Sequence, residues 1–201
     1  MKIIEVFSHE QSRELLIESF ERVQIVQVLT GVFHKHDLKI MLSEGAEVEH
    51  IIKIDSLRHG VMSIAYTLGR ASRLQMRGNM QLTGKTQLTV NSIQQHTEPA
   101  AASSVSFRVV VADAAVWHCT GSITIAQHAQ GVDASFSNPC LILDSGVVNT
   151  QPIIEVRAHK VRCAHGAASG RLDDEALLYL QRRGMSLDAA RKLLIDAFLL
   201  Q

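Results

Sequence analysis

The chain has 201 residues, 46% of them apolar, with Lys+Arg and Asp+Glu balanced at 20 each. That length buries a core without disulfide or metal staples, the apolar share excludes a disordered chain, and the charge balance gives no electrostatic case for nucleic acid or an anionic membrane surface. Cys119, Cys140 and Cys163 are an odd number at wide spacing, which implies no disulfide framework and fits a reducing compartment. Charged residues recur through the first twenty positions. They read neither as a signal peptide nor as a membrane span, so the expected location is the cytoplasm.

The first predicted element is helical. Ser8 with Gln11 makes a capping-box pattern ahead of Leu15, Leu16 and Phe20, which predicts a short helix near residues 9–20. Residues 24–29 then read as a strand, and residues 1–37 form an N-terminal segment. From about 38 to 161 helical periodicity is scarce. Short alternating runs at 48–54, 81–83, 87–90, 105–111, 122–125 and 153–156 are separated by Gly, Asn, Asp or Ser. Strands at such intervals predict an all-β core. A sandwich, a barrel and a solenoid all give this pattern, and no strict short repeat singles one out. Three prolines and 4% aromatic residues weigh against an immunoglobulin-like sandwich.

Within that core Thr83-Gly84-Lys85-Thr86 resembles the end of a phosphate loop. Asn79 stands where the first glycine belongs, and no helix follows to face a phosphate, so ATP binding is rejected. No G-x-S-x-G elbow and no H-E-x-x-H pair occurs, and no enzyme is expected. The end of the chain is a small α appendage. Asp173 is placed to cap a helix with Asp174 and Glu175 in its first turn and Arg182 and Arg183 in its last, and Gly184 follows as the C′ residue. Ser186 is placed to cap a second helix, whose Ala190, Leu193, Leu194, Ala197 and Phe198 form one apolar face.

One pair of residues carries chemistry. On a strand, Cys163 and His165 share a face, about 6.6 Å apart between Cα atoms, and both reach one metal or one shared partner. His159 is on the order of 13 Å from Cys163 on a straight strand, so the three do not make a zinc site. Cys119, beside Trp117, and Cys140, before Leu141-Ile142-Leu143, read as core thiols.

Val161-Arg162-Cys163-Ala164-His165-Gly166-Ala167 resembles the C-x-H-G-A signature of the SufB/SufD family of iron–sulfur cluster assembly proteins. Gly170-Arg171-Leu172-Asp173 through Leu177, Tyr179 and Leu180 to Arg183-Gly184-Met185 resembles the family's G-x-L-D-x-x-x-L-x-Y-L-x-x-R-G-I run. Collinear weaker likenesses are Leu42 to Glu49, Gln95 to Ser103, Thr120 to Ile123, Ala126 to Ala134, and Pro152 to Val156. The resemblance implies a right-handed parallel β-helix core over 38–170 followed by a helical segment over 171–201. The core is shorter than is usual in the family, and the N-terminal extension is much reduced.

The resemblance also separates the two family types. In SufB a sulfur-accepting cysteine lies in a D-R-C-G-x-H-T-like stretch; here Gly146 stands at the thiol's place and Asn149 at the histidine's. Ala164 stands where SufB has a glutamate. The chain therefore resembles the SufD type. That likeness implies a scaffold with His165, and with it Cys163, as ligands of a nascent Fe–S cluster held transiently at a subunit interface. The cluster is not bound by this chain alone. The implied partners are a SufB-like subunit or a second copy, and a SufC-like ATPase docked on Leu177, Tyr179, Leu180, Leu194 and Phe198. Two alternatives stay open: a standalone β-helical carbohydrate-active or adhesive module using Asp144 and Glu155, and a homodimeric cluster carrier using Cys163 and His165.

Overall fold

Inward and outward side chains alternate along most strand segments of the computed structural model, which describes residues 2–8 and 12–200. In β5 (Arg73–Leu82) the alternation is unbroken, with Leu74, Met76, Gly78, Met80 and Leu82 buried and the residues between them exposed. Period-two patterning of this kind suits a strand with one face on a core.

All the strand pairings are parallel. One face stacks β1 (Lys2–Phe7), the first half of β3 (Arg22–Leu42), the first half of β4 (Glu47–Leu68), β5, β7 (Ala102–Val111), β9 (Asp133–Ile142) and β11 (Arg162–Gly170). The other stacks β2 (Arg13–Ile17), the second halves of β3 and β4, β6 (Gln87–His96), β8 (Val116–Ile125) and β10 (Val147–Val156). The chain alternates between the faces, so each strand pairs with its counterpart one coil away. This is a parallel β-solenoid, the one of the three all-β forms that the family resemblance implied. Its interior is built from columns such as Ile4, Ile25, His50, Met76, Val105 and Phe136, each paired in register with the next.

Corners close the coils. At one corner Phe20, Gly45, Ala71, Ala100 and Gly131 all take positive φ (61, 66, 53, 62 and 74°). Each sends its N–H to a carbonyl of the following coil: Glu44, Arg70, Pro99, Gln130 and Lys160 in turn. For a residue with a Cβ this conformation costs roughly 1–2 kcal/mol, offset here by a backbone bond per coil. The opposite corner again has positive φ at Gly84, Asp113 and Asp144, but there the following coil donates: Ala114 N–H to the Gly84 carbonyl and Ser145 N–H to the Asp113 carbonyl. There the Asp113 carboxylate accepts from the Gly84 N–H at 2.7 Å. Thr83–Thr86 is one of these turns, closed by Thr86 N–H donating to the Thr83 carbonyl, which explains the false likeness to a phosphate loop.

The expected helix near 9–20 is corrected. Residues 9–11 lie outside the described residues, and Arg13–Ile17 form β2, parallel to residues 38–42 of β3. Leu15 and Ile17 are buried while Leu16 is 56% exposed; alternation toward the core outweighs the capping pattern. The strand expected at 24–29 is part of β3.

The two C-terminal helices form as expected. In α1 (Asp174–Arg182) the Asp173 carboxylate accepts from the Glu175 N–H at 2.9 Å, and Gly184 follows with φ 92°. In α2 (Leu187–Leu200) the Ser186 hydroxyl accepts from the Ala189 N–H at 3.2 Å. The α2 helix lies on the outer surface of β5 and β7. Asn79 Nδ2 donates to the Leu199 carbonyl at 2.6 Å, and the Arg108 guanidinium sits 5.2 Å from the centroid of the Phe198 ring. No helix among the described residues is long and apolar enough to cross a membrane.

Candidate functional site

Strands β10 and β11 end the two faces, and each has one edge without a strand partner among the described residues. Register sets which of their side chains point inward. On β10 they are Val148, Thr150, Pro152, Ile154 and Val156, stacked over Trp117, Cys119, Gly121, Ile123 and Ile125. On β11 they are Cys163, His165, Ala167 and Ser169, stacked over Ala134, Phe136, Asn138 and Cys140. Equivalent positions one coil earlier are buried; here Ile154, Val156 and His165 are exposed, because no further strand among the described residues covers the last coil. The solenoid ends in an open mouth with an apolar rim and an imidazole in it.

The floor of the mouth is rigid. Phe136, beneath His165, is buried and packs on Phe107 (centroids 6.3 Å apart), which packs on Trp117 (5.7 Å). Gly121 makes room for it, since a Cβ there would lie 2.2 Å from the Phe136 ring. Asn138 has its amide oriented to donate to the Phe107 carbonyl (3.2 Å) and to accept from the Thr150 hydroxyl (2.9 Å) and the Trp117 indole N–H (3.2 Å). A cleft of about 200 Å³ opens above it, lined by Val148, Thr150, Ala167, Ala168 and Ser169.

Cys163 and His165 share the inward side of β11, as the spacing required. Cys163 is half-buried against the core, and burial raises its thiol pKa. His159 lies on the corner before β11, and among the described residues no three His, Cys, Asp or Glu side chains come together as a metal cage. Cys119 and Cys140 are core thiols: burial pushes Cys140 up to about 12 and Cys119 higher still, which leaves neither with the thiolate character that reactivity needs.

Gly146 has no room for a side chain. A Cβ there would lie 2.4 Å from the Val111 carbonyl oxygen, and a backbone oxygen cannot swing away. A sulfur-accepting cysteine is thus sterically barred at this corner as built. Gly146→Ala is expected to lower the unfolding free energy by about 1–3 kcal/mol, the range for overpacking, read as a lower urea midpoint with an unchanged slope. Asp144 and Glu155 lie beyond and near opposite ends of β10, at least about 26 Å apart along the strand. That is far outside the separation of a glycosidase carboxylate pair.

The residues expected to bind a partner on the helices are divided. Leu177 is buried, and Leu180, Leu194 and Phe198 are half-buried, Phe198 under Arg108. Tyr179 is exposed, with Leu178, Leu187 and Leu193 also exposed. Sequence reasoning missed Phe136, Asn138, Thr150, Ile154 and Val156. Their part in the mouth follows only from the stacking register, which a run of short strands does not reveal.

The two ends of the solenoid differ in how their edges are guarded. At the first coil Lys2, Glu5, Arg13 and Glu14 are spread over two short strands, and the Arg13 guanidinium donates to the Glu5 carbonyl at 3.3 Å. Charge and shortness are the usual devices against strand addition. On β10 and β11 together the only fixed charges are Glu155 and Arg162, so this edge is open to pairing.

Comparison with known proteins accords with this architecture. Residues 23–198 match the SufBD core domain of the SUF system for FeS cluster assembly. The chain is 34% identical over 105 residues to the iron-sulfur cluster assembly protein SufD of Escherichia coli, covering 52% of this chain and 25% of that protein. It is 29% identical over 192 residues to an iron-sulfur cluster assembly SufBD family protein of Synechocystis, covering 80% of this chain and 42% of that one. A SufBD family protein of Mycobacterium leprae is 38% identical over 85 residues, 41% of this chain and 21% of its own length. The chain thus spans less than half the length of these relatives. With the stacked parallel coils, the open mouth and the family match over most of its length, the chain belongs to the SufBD family of iron–sulfur cluster assembly proteins.

Proposed function

We propose that this chain is a SufD-type scaffold subunit, working in the cytoplasm, which pairs through β10 and β11 with a SufB-like subunit and presents His165, with Cys163, to a nascent cluster. The observation that carries the reading is an imidazole exposed inside a sheet edge whose two strands carry only Glu155 and Arg162 as fixed charges. The cluster is cargo. Thiolate and imidazole both ligate iron, but two donors on one strand cannot complete a cluster's ligand set, so the rest come from across the edge. Cys163 needs iron or a cation beside it to offset the burial that holds its proton. ATP hydrolysis belongs to a SufC-like partner docked on the exposed Leu178, Tyr179, Leu187 and Leu193 side of the helices, so the scaffold itself is not an enzyme.

The test has two arms. Ile153→Lys puts a charge on the edge and is expected to weaken co-purification with a SufB-like subunit at least tenfold, about 1.4 kcal/mol, with the unfolding midpoint unchanged. His165→Ala is expected to leave that complex intact and to reduce the visible absorption formed on anaerobic reconstitution of the complex with iron and sulfide. Full binding by the lysine variant rejects the edge. Unchanged absorption in the His165→Ala, Cys163→Ser double variant rejects the ligands.

A further inference from the structure

A cleft of about 290 Å³ opens at the foot of α2, where the end of the helix meets the outer faces of β5 and β7. Arg77, Asn79, Ser104, Ser106, Arg108 and Leu200 line it, and no carboxylate is among the lining residues. Alternation along the two strands turns the five polar side chains outward, and register sets Arg77 beside Ser106 and Asn79 beside Arg108. The two arginines are one strand and two residues apart, about 8 Å between Cα atoms, so side chains of their length converge on one group. Arg77 is exposed and has no ion-pair partner among the described residues; its cross-strand neighbours are Ile51 and Ser106. Glu49, beside Gln75 in register, accepts instead from Gln24 Nε2 at 2.8 Å.

The plain role for these arginines is to face the carbonyl end of α2. Asn79 Nδ2 already holds the Leu199 carbonyl, and the Arg108 guanidinium lies against the Phe198 ring. A helix end carries about half a negative charge against two whole guanidinium charges, so most of the positive charge is left over. A guanidinium has five N–H donors, which lets Arg108 keep its present contacts and still meet a ligand. We propose that this cleft binds a phosphate group, free or carried on a small molecule. The planar fork of arginine matches phosphate oxygens two at a time, and the Ser104 and Ser106 hydroxyls add neutral donors beside it. The site is on the outer face of the solenoid, apart from the inward Cys163 and His165 of β11. Because Leu200 lines the same cleft, a bound phosphate also ties the end of α2 to the strands beneath it.

The test titrates the isotope-labelled chain with inorganic phosphate and with AMP, read by amide NMR shifts, with chloride holding the ionic strength constant. Shifts at Arg77, Ser104 and Ser106 are expected to saturate with a Kd on the order of 1 mM. Arg77→Ala is expected to weaken binding about tenfold or more, while Arg73→Ala, on the same strand but outside the cleft, changes it less than about twofold. Tighter binding of AMP puts the phosphate on a small molecule, and AMP binding no tighter makes inorganic phosphate sufficient; either upholds the site. Shifts that do not saturate, or that both variants weaken alike, overturn it, because they report only the general charge of the surface. Acetate bound as tightly as phosphate overturns the assignment to phosphate. A chain extended by Gly-Ser-Gly after Gln201 runs alongside. Binding by that chain alone overturns the proposal, since the arginines then serve a main-chain carboxylate at position 201.

Discussion

Between pH 7 and pH 5 the folded chain is expected to lose roughly 4 kcal/mol of stability through two buried histidines alone. His50 is fully buried, with Nδ1 2.7 Å from the Tyr66 hydroxyl, and burial lowers its pKa to about 3. His96 is buried with Nε2 2.9 Å from the Ser103 hydroxyl, and burial lowers it to about 4. Ser103 spends its one proton on the Gln94 side-chain Oε1, so His96 donates to the Ser103 hydroxyl through Nε2–H, while burial keeps the ring neutral. In the unfolded chain both rings protonate near pH 6.5. Folded pKa values below unfolded ones mean that the unfolded state takes up protons first. The stability is therefore fully present above about pH 7 and drains as pH falls from 6.5 toward 4 and then 3. Each ring contributes a slope of about 1.4 kcal/mol per pH unit in that window. Urea unfolding at pH 7, 6 and 5 measures it. His50→Gln and His96→Gln should each flatten the dependence, and a double variant with the natural slope would show that other groups carry it.

Replacing Phe136 with alanine should cost about 3–5 kcal/mol, the range for emptying an aromatic core position. Phe136 is 1% exposed, packs at a tilt on the Phe107 ring and fills the space left by Gly121. No neighbouring side chain can swing in without leaving its own column. The single Trp117, fully buried and one contact away through Phe107, should shift its emission to longer wavelength as water reaches the floor. Leu178→Ala on the exposed side of α1 serves as the control, expected within about 0.5 kcal/mol of the natural chain. If the two variants unfold together, the mouth has no rigid floor.

The helices were the most legible part of the sequence, because their signals are local. Asp173, Gly184 and Ser186 take the capping positions their identities suggest. The strands were legible as strands, since Leu74, Met76, Met80 and Leu82 alternate with polar residues in plain view. What short-range pattern could not show was which strand lies over which. The corner that repeats most faithfully uses Phe20, Gly45, Ala71, Ala100 and Gly131; a conformation common to five residues of three types leaves no repeat to read. The same gap hid half of the site. Cys163 and His165 are two residues apart and share the inward side of one strand. Phe136, Thr150 and Ile154 join them through register alone. The early helix was misread because a two-residue capping signature is weak evidence against an inward-facing Leu15 and Ile17.

Each coil touches only its immediate neighbours, above and below. Growth of such a molecule is therefore stepwise: duplicating one circuit, such as residues 73–101, adds a layer about 4.8 Å thick and rewrites no chemistry elsewhere. The α2 helix rests on β5 and β7, and the imidazole waits on β11. A layer gained or lost between them would change the spacing of the helices and the mouth in fixed increments. The distance between these two surfaces can thus evolve separately from the residues of either.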